Sequence, residues 1–105
     1  MVDSKKLRIQ TGVVNRCFKE KNYYLKELVV FEKKLQNTNF KDEEEAYRSK
    51  MVPQQIDETK AALKDTENAL ENAIVALRQL VEDDEADKST KEWVAANDKL
   101  KEVTA

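Results

Sequence analysis

Histidine is absent from this 105-residue chain, and with it go the commonest general base, the commonest metal ligand and every Ser–His or Cys–His nucleophile pair. Glycine and proline occur once each, at Gly12 and Pro53, where an average chain of this length holds roughly a dozen of the two together. One glycine cannot build a phosphate-cradling loop, and turns must be few. The single cysteine, Cys17, can form no internal disulfide and supplies no zinc-site spacing; such usage suits a reducing compartment. No window approaches the roughly 18 apolar residues of a membrane span. Met1 to Gln10 alternates charge with apolar residues and lacks the apolar stretch of a signal peptide, so a cytosolic protein is expected. Neither sign of charge prevails: 19 basic against 21 acidic residues leave a net charge of −2, with no basic excess to drive non-specific nucleic-acid binding.

What is present is helical periodicity among abundant charge. Leu, Ile, Val and Phe are spaced regularly within a 38% charged background, which predicts folding rather than disorder. The length suits one domain with a modest core. In the first segment Val14, Cys17, Lys21, Tyr24, Leu28, Phe31 and Leu35 recur at three- and four-residue steps, with Leu7, Phe18 and Leu25 widening the stripe. This predicts an amphipathic helix over about residues 5–37, stopped by the polar run Gln36-Asn37-Thr38-Asn39, where a tight reversal fits. Gly12 leaves two readings: the helix passes through it, allowing close approach of another backbone, or it begins with Thr11 as N-cap.

The second segment carries a heptad seam, Ile56, Leu63, Leu70 and Leu77, complemented by Thr59, Thr66, Ala73 and Leu80 and flanked by Ala62, Ala69 and Ala76. Asp42, Glu43, Glu44 and Glu45 favour a helix N-terminus through the dipole, so helix two is expected over about residues 42–82. Pro53 either kinks it, with Tyr47 and Met51 joining the seam through a five-residue step to Ile56, or marks the start of a shorter helix. After an acidic run from Glu82 to Asp87, Ser89 and Glu92 form an S-x-x-E capping box, and Trp93, Ala96, Leu100 and Val103 continue a third helix over about residues 89–103. Short connections make neighbouring helices antiparallel, so the expected fold is an all-α, up-down-up three-helix bundle with coiled-coil-like packing.

No residue set in this pattern supports catalysis, and no cofactor is expected. The carboxylate clusters at Asp42–Glu45 and Glu82–Asp87 lack the alternating ligands and central glycine of an EF-hand and are better explained by helix-end charge. Cys17 falls on the core stripe. Tyr24, Phe31 and Trp93 fall on stripes as well, without the basic groove of a stacking platform, whereas Tyr23 is displaced toward the surface. The remaining working surface is the charged exterior of two long helices.

The run Ile9-Gln10-Thr11-Gly12-Val13-Val14-Asn15-Arg16-Cys17-Phe18-Lys19-Glu20 resembles the N-terminal signature of the tubulin-binding cofactor A family, close to I-K-T-G-V-V-K-R-x-x-K-E. The likeness continues at Tyr24, Lys26 and Glu27, against Y-x-K-E, and at Leu70-Glu71-Asn72-Ala73, against L-E-x-A. Gln10 and Asn15 stand where the pattern has lysine. Glu58 to Asp65 aligns with a family stretch that contains a proline, whereas the proline here is Pro53. The resemblance implies a cytosolic, cytoskeleton-associated chaperone that captures β-tubulin after its release from the chaperonin, on the route to the αβ heterodimer. It implies no nucleotide; nucleic acid and membrane are already disfavoured by the charge balance and the lack of a long apolar run. Carried over by position, the partner-facing candidates are Arg16, Lys19 and Glu20 on helix one and Glu58, Lys60, Asp65 and Glu71 on helix two. A monomer is expected, the rival being a homodimeric coiled-coil scaffold paired through the Ile56–Leu77 seam.

Overall fold

The structure, a computed structural model, describes residues 3–36 and 40–105. These residues are all-α: α1 (Ser4–Gln36), α2 (Glu43–Ser49), α3 (Val52–Val81) and α4 (Lys91–Val103), with no strand among them. Three helical segments are therefore present, the second divided in two. The reversal expected after Gln36 falls on residues 37–39, outside the described residues.

The division of the second segment corrects the expectation of one kinked helix. Pro53 is the second residue of α3, in the first turn, where its missing N–H has no acceptor within α3 to lose. Before it, the chain tightens: Lys50 N–H donates to Tyr47 O and Met51 N–H to Arg48 O, both at 3.1 Å, which ends α2. Tyr47 and Met51 are exposed, and the buried face begins instead at Val52, continuing through Ile56, Thr59 and Thr66. α2 starts as its acidic run requires. Asp42 is the N-cap, its carboxylate accepting from Glu45 N–H at 2.8 Å, while the Glu45 carboxylate accepts from Lys41 N–H at 2.9 Å.

α1 passes through Gly12 without a break and without positive φ. A Cβ at Gly12 would meet nothing within 4 Å, so among the described residues none packs against that position, contrary to the close-approach reading. The third helix begins one residue later than the S-x-x-E motif places it. Thr90 is the N-cap, its hydroxyl accepting from Trp93 N–H at 3.1 Å. Ser89 is occupied with Asp87, donating to that carboxylate from both its N–H and its hydroxyl.

The chain resolves into two compact units, Met1–Lys19 with Glu67–Ala105, and Glu20–Thr66. In the first, Leu7, Val14, Cys17, Leu70, Ala73, Leu77, Val81, Ala96 and Leu100 form the core, with Phe18, Ile74, Leu80, Trp93 and Val103 packed against it. Leu77, Val14 and Ala96 are fully buried; each large aliphatic side chain so placed contributes about 1.5–3 kcal/mol. Two hydrogen bonds between helices fix the register here: Gln10 Nε2 donates to Ala73 O at 3.1 Å, and Lys99 Nζ donates to Asn15 Oδ1 at 3.0 Å. Arg8 and Thr11 lie beside Lys91, Glu92 and Ala95, so α4 runs parallel to this part of α1. α3 runs against both, giving the up-down-up order. In the second unit Val52, Ile56, Thr59 and Thr66 are buried and Tyr24, Leu28 and Phe31 are half-buried. Leu25 and Leu35, expected on the core stripe, are 40% and 51% exposed; Leu25 lies at the edge of the stripe and Leu35 in the last turn of the helix.

Candidate functional site

All seven partner-facing candidates, Arg16, Lys19, Glu20, Glu58, Lys60, Asp65 and Glu71, are exposed, as their positions off the apolar stripes require. Arg16, Lys19 and Glu71 belong to the first unit, and Glu20, Glu58, Lys60 and Asp65 to the second. Arg16 and Lys19, three residues apart on α1, share one exposed face in the first unit, and Glu71 stands on α3 in the same unit. In the second unit Glu58 and Asp65, seven residues apart, share one flank of α3. Lys60 lies on the opposite flank, since each residue advances about 100° around the axis. Glu58 accepts a hydrogen bond from Gln54 Nε2 at 3.3 Å. Among the described residues the ion pairs are Arg48–Glu44 and Lys99–Glu102, and neither involves a candidate.

Both positions that depart from the family pattern are used inside the first unit. Gln10 reaches the Ala73 carbonyl and Asn15 accepts from Lys99. A lysine at position 15 would set a second cation against Lys99 in place of an acceptor.

Cys17 is buried in the core, and Ser49, on the wall of a cleft of about 370 Å³ with Lys34, Phe40, Arg48 and Met51, donates its hydroxyl proton to Ala46 O at 2.7 Å. Among the described residues no group of three or more Cys, Asp or Glu is placed to hold a metal ion, and none of the helices is long and apolar enough to cross a membrane. Tyr23 is 63% exposed and meets Tyr24 edge-on, with ring centroids 5.6 Å apart.

Charge is segregated in a way the near-neutral total conceals. α1 holds nine Lys and Arg against three Glu, leaving the rest of the chain ten basic against eighteen acidic residues. Lys5, Arg8 and the exposed Ile9 belong to the α1 face that carries Arg16 and Lys19. A count of charge by helix, rather than over the whole chain, finds them from sequence.

The sequence model of the family described as "Tubulin binding cofactor A" matches residues 3–100. A curated relative, the tubulin-specific chaperone A of Rattus norvegicus, is 32% identical over 92 residues, spanning 88% of this chain and 84% of its own length. A solved structure of human tubulin chaperone cofactor A superposes with a TM-score of 0.79 at 24% identity, covering 97% of this chain and 98% of the other; that likeness bears on the fold. With the family pattern running through almost the whole length, the chain belongs to the tubulin binding cofactor A family.

Proposed function

We propose that this protein is a tubulin-folding chaperone of the cytosol that captures and stabilises β-tubulin folding intermediates through its charged helical surfaces. The observation that carries the reading is the family match over residues 3–100. The surface chemistry is consistent with it: all seven candidate residues are exposed and charged, and of the apolar seam Ile56, Leu70 and Leu77 are buried and Leu63 half-buried. Exposed charge of both signs orients a partner and raises the rate of encounter, while limited apolar contact supplies affinity. Association is therefore expected to slow as ionic strength rises and the Debye length shortens.

The test is co-purification of the intact chain with β-tubulin and, in parallel, with α-tubulin. Preferential retention of β-tubulin is expected; equal retention of both, or of neither, removes the reading. The rival coiled-coil scaffold is disfavoured by the burial of Ile56, Leu70 and Leu77, which a second chain could reach only by opening the fold. Sedimentation showing a tight dimer would restore it.

A further inference from the structure

We propose that the α1 face formed by Lys5, Arg8, Ile9, Gly12, Arg16 and Lys19 is a docking surface for an acidic segment of a partner protein. The reading above supplies the identity of the partner; the chemistry of the face stands on the structure.

All six residues are exposed and belong to one compact unit. At about 100° per residue they share one side of the helix over roughly 21 Å. From Ser4 to Lys19 the helix carries five cations and no carboxylate. None of the four cations on this face is held in an ion pair among the described residues; the nearest acid in the adjoining depression, Glu92, shares it with Lys91. Bounded by Asp3 and Glu20 at its two ends but with none of its four cations in an ion pair among the described residues, the strip favours an anionic partner.

Gly12 sits at the centre, four residues from Arg8 and four from Arg16. A glycine in an exposed helix interior costs stability relative to alanine. Nothing in the fold requires it, because the φ is ordinary and a Cβ would stand in open space. What the glycine provides is a notch between two guanidinium groups, where a partner backbone can lie against the helix while its carboxylates take forked hydrogen bonds from both arginines. Ile9, 54% exposed, adds an apolar contact beside the notch. A protein segment fits better than a nucleic acid. The basic strip is short, and the chain outside α1, with ten basic and eighteen acidic residues, repels an extended polyanion.

The experiment measures binding of a fluorescein-labelled oligo-glutamate peptide by anisotropy, alongside β-tubulin co-purification, for the intact chain and four variants. Arg8→Glu combined with Arg16→Glu is expected to weaken both interactions by about tenfold or more, with helicity unchanged. The matched control, Lys64→Glu combined with Lys101→Glu, reverses the same number of exposed cations away from this face and is expected to leave peptide binding within about twofold. Gly12→Ala should raise the melting temperature and weaken binding together, a combination that a structural glycine does not give; Gly12→Leu should weaken binding further. Equal peptide binding by the wild type and the arginine double variant overturns the proposal, as does tighter binding of an oligouridylate than of the peptide. If β-tubulin is retained equally by wild type and double variant, the face is wrong and the chaperone reading survives. If β-tubulin is not retained but the peptide binds through Arg8 and Arg16, the face stands and the chaperone reading falls.

Discussion

The indole N–H of Trp93 donates to the main-chain carbonyl of Val81 at 3.0 Å, so a side chain from the first turn of α4 satisfies an acceptor in the last turn of α3. The last carbonyls of a helix have no intrahelical donor, and Trp93 supplies one while its ring packs on the core. Trp93→Phe keeps most of the ring contact and removes the donor. The expected loss is about 1–2 kcal/mol, measured by urea denaturation followed by circular dichroism. An unchanged midpoint would show that water satisfies the carbonyl equally well.

Thr90 and Ser89 are chemically similar neighbours with different work. Thr90 caps α4 and Ser89 is engaged with Asp87. Thr90→Ala is expected to cost about 1 kcal/mol, and Ser89→Ala clearly less. Thermal unfolding of the two single variants decides between them: the reverse order would place the cap at the S-x-x-E motif after all.

Asp87 is held below the ordinary aspartate value of 3.8 by the Ser89 hydroxyl hydrogen bond first and the Ser89 backbone N–H second. A carboxylate whose pKa is lower folded than unfolded stabilises the fold in full above the unfolded value and loses that contribution as pH falls through the folded one. The Asp87–Ser89 turn therefore contributes at neutral pH and fades below about pH 4. Ser89→Ala should move the Asp87 titration midpoint upward in a carboxyl-detected NMR titration; a midpoint that stays in place would assign the shift to another cause.

Leu77 and Leu63 occupy equivalent heptad positions, yet Leu77 is 0% exposed and Leu63 only half-buried. Leu77→Ala should cost about 2–5 kcal/mol, lowering the melting temperature by roughly 4–8 °C for each kcal/mol. Leu63→Ala should cost less than half as much. Differential scanning calorimetry of both variants tests the ranking, and equal losses would mean that periodicity alone sets the energetics.

The amino-acid sequence by itself determined the elements. Steps of three and four residues place Val14, Cys17, Tyr24, Leu28, Ile56, Leu70, Leu77, Ala96 and Leu100 on inward faces, since a helix repeats its surface every 3.6 residues whatever lies beside it. The helix start at Asp42–Glu45 was legible from charge, because acidic side chains favour a helix N-terminus. The exposure of the seven charged candidates followed from periodicity too, and the candidates themselves came from matching family positions. Tertiary structure decided what neighbouring helices do to each side chain. Tyr47 and Met51 are apolar and suitably spaced, but the turn before Pro53 rotates them outward and hands the buried position to Val52. Ser89 and Thr90 are equally competent caps, and competition from Asp87 assigned the task to Thr90. Gly12 could have marked a close helix contact or a helix start, and only the positions of the other helices show that its face is open. Periodicity is a property of one helix, whereas burial, capping choice and open space depend on residues distant in the chain.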